Sequence, residues 1–195
     1  LQGSYRNRTH IRADSDVDVV AELQSTFYYD LDDLPQSEKA LFHEVFPDTA
    51  SYGYFEFRQD ILRALVNHFG ERSVDSTGNK CLTINGNQER SDADVLPCLE
   101  HRKYVKFSHS ERKFIPGLKF FTQRERKLII NWPKVHYENG SAKNQATGNQ
   151  FKAMVRVGKH LRNLCVEQKY LREDEVPSYF LECLLYNVPD YYFEK

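Results

Sequence analysis

Residues 16 to 20 read Asp-Val-Asp-Val-Val. In an extended strand successive side chains alternate between faces, so Asp16 and Asp18 project together while Val17 and Val19 anchor the opposite side in a core. The segment from 16 to 24 alternates and then runs apolar, which predicts a strand with one charged end. Two adjacent carboxylates repel each other, and a site that tolerates them ordinarily holds a divalent cation. Ligands that are oxygen only favour magnesium or manganese over zinc. An isolated Asp-x-Asp pair is equally a common solvated strand end, so its company carries the weight.

That company has two parts. A third carboxylate lies in Ser-Asp-Ala-Asp-Val-Leu-Pro-Cys, residues 91 to 98. Asp92 and Asp94 share a face by parity, but Asp94 sits between Ala93 and Val95 inside the apolar run and Asp92 at its polar edge, so Asp94 is the candidate. Gly3-Ser4, eleven residues ahead of Asp16, opens a short polar segment. It supplies close backbone approach, free amides and a hydroxyl, which together can hold phosphate oxygens at a helix start.

The bulk of the chain narrows the classes. Its 195 residues, 40% hydrophobic, suffice for one sizeable core, or for a core plus a small helical lobe. With 27 basic against 28 acidic residues, no overall excess of positive charge advertises a duplex-binding surface or attraction to an anionic membrane. No run approaches the ~20 apolar residues that span a bilayer and no signal segment opens the chain, so the expectation is a cytoplasmic protein with no membrane partner. Cys81, Cys98, Cys165 and Cys183 form no C-x-x-C pair and read as buried free thiols. The seven histidines show no metal-ligand spacing and read as surface or hydrogen-bonded groups.

Further along, residues 57–70 carry Ile61, Leu62, Leu65, Val66 and Phe69 at helical spacing and stop at Gly70. Strands are expected over 80–86, over 93–107 with an interruption at Pro97, and over 127–132. A polar, glycine-containing linker over 139–149 leads into helices at about 150–169 and 177–187. Sheet first and helices afterwards indicate an α+β fold.

The words around these residues resemble those of a known family. Gly-Ser, eleven residues, Asp-Val-Asp and a later Ala-Asp-Val strand are the signature of nucleotidyltransferases that resemble DNA polymerase beta. The stretches GSYRNRTHI, SDVDVVAEL, ADVLPCLEHRKY, HYENGSAKNQATGNQFKAMVRVGKHLRN and PSYFLECLLYNVPD are similar to those of the bacterial cGAS/DncV-like nucleotidyltransferases of antiphage signalling, from Gly3 to about Phe193. The resemblance implies a nucleotidyltransferase-fold mixed sheet with flanking helices over 1–138, a C-terminal helical lobe over 139–195, and a cleft between them. It also implies a helix and strand ahead of Gly3 and more helix beyond Phe193, so that a chain opening at Leu1 directly on the motif reads as a portion of something longer.

On the 150–169 helix, Phe151, Met154, Val155, Gly158, Leu161 and Cys165 form an apolar stripe, and Lys152, Arg156, Lys159 and Asn163 recur on another face. A basic helical face is ordinarily just solvated. The resemblance implies instead that Lys159, with Lys152 behind it, reaches the donor triphosphate, and that Ser178 contacts nucleotide while Tyr179 stacks on the donor base. The implied cofactors are two Mg2+ (or Mn2+) ions on Asp16, Asp18 and Asp94, with Gly3 and Ser4 beside the phosphates. The implied activity joins nucleoside triphosphates into a cyclic di- or trinucleotide with release of pyrophosphate. Protein regulators from a defence operon are the implied partners, and without a zinc-ribbon insertion no long nucleic acid is required. Two other readings stay open: a linear nucleotidyltransferase acting on RNA or a small acceptor, and a catalytically silent nucleotide-binding module.

Overall fold

The computed structural model describes residues 3–11 and 17–193. In chain order the elements are α1 (Gly3–Asn7), β1 (Val17–Asp30), α2 (Gln36–Val45), α3 (Tyr54–Phe69), β2 (Val74–Asp75), β3 (Leu82–Ile84), β4 (Ala93–Phe107), β5 (Arg112–Phe121), β6 (Leu128–Asn131), α4 (Pro133–Ala146), α5 (Gln150–Glu167) and α6 (Ser178–Tyr186). The α+β class is as the sequence indicates. Two compact units divide them: residues 18–134 form one, and residues 1–17 with 135–195 form the other. The segment bearing Gly3 and Ser4 therefore groups with the helices, and the division falls at 134/135 where the sequence suggested 138/139.

The first unit is built on a six-stranded sheet in the order β2-β3-β4-β5-β6, with β1 also paired to β4. Neighbours from β2 through β6 are antiparallel. α3 is amphipathic as its spacing predicts: Ile61, Leu62, Leu65 and Phe69 pack on Leu82, Ile84 and Val95. It ends at Gly70, whose φ of 85° is readily available only without a Cβ. α2 drives the fully buried Phe42 among Tyr104, Phe107, Leu31 and Leu34.

β4 runs unbroken through Pro97, where the sequence suggested an interruption. Its pairing with β3 uses residues 93–95 and its pairing with β5 uses 99–107, so Pro97 lies between these two ladders and its missing N–H interrupts neither. β5 is not among the strands expected from the sequence, and it contains Pro116 and Gly117. Both nonetheless pair in register, Pro116 with Arg102 and Gly117 with His101, on a stretch where β6 does not yet reach β5.

Gly117 is there for space. A Cβ at this position would stand 2.9 Å from Cε3 and Cζ3 of Trp132, whose ring lies 5.4 Å edge-on from His101. His101 departs from the surface or hydrogen-bonded reading of the histidines: it is buried, and neither ring nitrogen has a hydrogen-bond partner among the described residues. Burial, and then the Lys119 cation, hold its imidazole below the ordinary value and hence neutral.

In the helical unit, the expected linker over 139–149 is largely the body of α4. Pro133 at its first position needs no N–H donor there, and the cost of Gly140, about 1 kcal/mol relative to alanine, is offset by anchoring. Lys143 Nζ donates to the Val188 carbonyl at 2.7 Å and to Asp190 Oδ1 at 2.6 Å. The turn comes at Gly148 and Asn149, both at positive φ, after which Thr147 Oγ1 accepts the Phe151 N–H at 3.1 Å. α5 buries Phe151 and Val155, while Met154 and Leu161 of the expected stripe stand exposed. α6 crosses α5 at Gly158, where an added Cβ would lie 3.2 Å from Leu181. No described helix is long and apolar enough to cross a membrane.

These contacts separate two glycines. Gly117→Ala drives a methyl into the Trp132 ring and is expected to lower stability by about 1–3 kcal/mol. Gly140→Ala, whose methyl would lie at ordinary contact distance, 3.8 Å, from Phe151, should raise it by about 0.5–1 kcal/mol. Urea midpoints at unchanged slope measure both, and equal midpoints for the two variants would contradict the packing described.

Candidate active site

Asp18 stands on β1 and Asp94 on β4, strands that pair with each other. Thr83 sits opposite Asp94 in the β3–β4 ladder, and its hydroxyl donates to Asp94 Oδ1 at 2.6 Å. Both carboxylates act on one thiol. Burial first, and then the negative charges of Asp94 and Asp18, push Cys81 up to about 11. The same pairing resolves the parity question at 92 and 94. Asp94 lies within β4, half-buried, whereas Asp92 precedes the strand, exposed, and its Oδ1 is taken by the Gly86 N–H.

Asp16 lies outside the described residues, and among the described residues no three histidine, cysteine or acidic side chains converge as a metal cluster. The donor set of Asp18 and Asp94 suits a hard cation. Its oxygens are carboxylate, the ligand type that magnesium and manganese take.

The remaining candidates belong to the helical unit. Gly3 and Ser4 open α1, a single short turn, with Gly3 at φ 66° and the Ser4 carbonyl accepting the Thr9 N–H at 2.9 Å. Lys152 is half-buried on α5 and its Nζ donates to Ser141 Oγ at 3.2 Å. Ser178 and Tyr179 begin α6. Tyr179 is 63% exposed, and its ring centroid lies 5.1 Å from that of His136.

Lys159 does not stand on an open basic face. It is 2% exposed, and its ammonium donates to Glu182 Oε1 at 2.7 Å and, at 3.5 Å, to Thr9 Oγ1. The Thr9 hydroxyl in turn donates to the same Glu182 oxygen at 2.8 Å, and His136 Nε2 lies 3.1 Å from Glu182 Oε2. One carboxylate of α6 thus gathers groups from the segment after α1 and from α4 and α5. Burial alone would raise Glu182; the bonds from His136, Lys159 and Thr9 outweigh it and hold the carboxyl at about 2.

Sequence reasoning passed over Thr83, Thr9, His136 and Glu182. A signal for the last was present: Glu182 is the one charged residue in Ser-Tyr-Phe-Leu-Glu-Cys-Leu-Leu-Tyr, the whole of α6. A lone carboxylate in an apolar helix needs a buried partner.

Comparison with known proteins gives this arrangement its lineage. Residues 138–195 match the family model of the cGAS/DncV-like nucleotidyltransferase C-terminal helical domain. The cyclic nucleotide synthase CdnE01 of Staphylococcus haemolyticus is 43% identical over 195 residues, 99% of this chain and 64% of that protein. The chain belongs to the cGAS/DncV-like nucleotidyltransferases. Among solved structures, the Rhodothermus marinus CdnE c-UMP-AMP synthase with Apcpp and Upnpp superposes with a TM-score of 0.82 at 41% identity, covering 98% of this chain and 62% of that one. The Elizabethkingia meningoseptica CdnE cyclic dinucleotide synthase with GTP and Apcpp gives 0.75 at 35% identity, covering 99% and 62%. The chain thus spans under two thirds of the length of these relatives.

The Glu182 cluster predicts a specific stability profile. Between its ordinary 4.5 and about 2, Glu182 binds more protons unfolded than folded, so its contribution, about 3 kcal/mol, is complete above the upper value and lost as pH falls toward the lower. Lys159→Met, which strips the cation from a buried carboxylate, should cost about 3 kcal/mol at neutral pH, and the double change Lys159→Met/Glu182→Met should recover most of it. Urea unfolding from pH 2 to 7 tests the set. The double variant should lose the acid-sensitive portion that the parent shows.

Proposed function

We propose that this chain carries the catalytic centre of a metal-dependent nucleotidyltransferase that joins nucleoside triphosphates into a cyclic dinucleotide, or a cyclic trinucleotide, with release of pyrophosphate. The observation that carries the reading is the pair Asp18 and Asp94, brought to adjacent strands beside one protonated thiol, with Asp94 held by Thr83. Support from outside the chain comes from relatives described as cyclic nucleotide synthases, two of them solved with nucleoside triphosphates or their analogues. Those two were solved with different base pairs, so likeness alone does not carry base choice to this chain.

Asp16, Asp18 and Asp94 would hold two Mg2+ or Mn2+ ions, which when bound lower the pKa of an acceptor hydroxyl and neutralise charge on the triphosphate. The protein's own part is chiefly positioning. Thr83 occupies one Asp94 oxygen, and the carboxylate would take the proton from the attacking hydroxyl through the other. Ser4, Lys152 and Lys159 steady the phosphates that leave as pyrophosphate. Lysine suits this role as a point charge with three donors, and the ammonium of Lys159 has one N–H beyond those engaged by Glu182 and Thr9. Tyr179 offers an exposed ring face on which a base stacks, an interaction tolerant of base identity. Action in the cytoplasm, in antiphage signalling under protein regulators and without long nucleic acid, belongs to the same proposal and rests on the family resemblance.

Asp94→Asn and Asp18→Asn are each expected to lower pyrophosphate release from the four nucleoside triphosphates, with magnesium or manganese, by at least about 10^3-fold while circular dichroism and Tm stay near the parent's. The product should resist phosphatase, since a closed ring has no terminal phosphate. A phosphatase-sensitive product would establish the linear reaction instead, and nucleotide binding without turnover by the parent would establish a silent module.

A further inference from the structure

Glu182 lies one turn along α6 from the two nucleotide candidates of that helix, four residues beyond Ser178 and three beyond Tyr179. Side chains at these spacings share a helix face, so whatever fixes Glu182 fixes the rotation of α6 and with it the direction of both. Its carboxylate is fixed from three sides. Oε1 accepts from Lys159 on α5 and from Thr9, and Oε2 faces His136 on α4. His136 then closes a bracket, because the imidazole that meets Glu182 at one nitrogen also packs against the Tyr179 ring, at 5.1 Å between centroids and an interplanar angle of 51°. Thr9, Lys159 and Glu182 are all buried, and the directed bonds leave each carboxylate oxygen engaged. A buried ion pair is a weak source of net stability, because desolvation offsets most of the attraction. Beyond the acid-sensitive stability that the low Glu182 pKa carries, its contribution is geometric.

We infer that Glu182 is a positioning residue: a single carboxylate that sets Lys159 to meet the phosphates and, through His136 and the register of α6, sets Tyr179 to meet the base. The inference rests on reading Lys159 and Tyr179 as nucleotide contacts, and adds to that reading a residue that touches no substrate. Phosphate and base recognition, which come from different helices, then fail together when this one group is changed.

The test uses the whole chain and the variants Glu182→Gln, Lys159→Met and Lys159→Met/Glu182→Met. Calorimetry measures binding of a non-hydrolysable nucleoside triphosphate and of the matching nucleoside monophosphate, and hydrogen exchange over residues 178–186 is followed without nucleotide. Lys159→Met should weaken the triphosphate about tenfold and the monophosphate less, because Thr9 and His136 still hold Glu182. Glu182→Gln should weaken both and speed exchange at the start of α6. If Glu182→Gln does not fold, the double variant decides: against Lys159→Met, it should lose monophosphate affinity and exchange faster over 178–186. A Glu182→Gln protein that binds both ligands as the parent does, or a double variant indistinguishable from Lys159→Met, would overturn the inference. Should the parent bind neither ligand, the nucleotide reading fails on its own, and the exchange arm still decides whether Glu182 sets α6.

Discussion

Backbone pairing along β4 is the constraint from which the sheet unit follows. This one strand of 15 residues accepts β1, β3 and β5 as neighbours. Its early residues, paired to β3, bring Thr83 against Asp94, and its later residues, paired to β5, bury Tyr104 and Phe107 under α2. A register slip of one residue would turn Asp94 into the core and a neighbouring valine or alanine outward, so the apolar partners of the strand enforce the placement of its charge. The two candidate carboxylates, Asp18 and Asp94, are thus ordered by hydrophobic burial on the opposite face. Electrostatics alone would drive them apart.

How far the sequence could be read follows from which signals are local. The period-2 alternation around Asp18, the apolar spacing of α3 and the glycine that ends it, and the setting of Asp94 inside an apolar run are all legible within a dozen residues, and each has its counterpart in the fold. Pro97 misled, since a proline is punctuation in isolation, and β5, which contains Pro116 and Gly117, was not foreseen. Tertiary pairing uses Pro116 and Gly117 where no ladder needs the missing N–H and where a ring needs the missing Cβ. The polar run after Asn139 misled for the converse reason: its helix is held by Lys143 reaching residues 188 and 190, more than forty positions away.

The same distinction holds among the site residues. Types and spacings pointed to the carboxylates, and the family resemblance to the lysines and the Ser-Tyr pair, but the groups that hold them in place, Glu182's isolation in α6 apart, left no local signal. Thr9 and Glu182 are 173 residues apart in sequence, and Thr83 has meaning only once β3 lies beside β4. Residues that touch substrate leave a mark in local sequence because chemistry dictates their type. Residues that orient them leave a fainter one, since any partner of suitable reach would serve.

Cys81 carries a practical consequence. A thiol beside a reaction centre is the usual target for covalent inhibitors, which react with the thiolate. Burial and the two neighbouring carboxylates push its ionisation up, so with those carboxylates uncompensated the thiol holds its proton. Electrophilic fragments and peroxide should therefore react slowly with this cysteine, whatever its nearness to the two carboxylates.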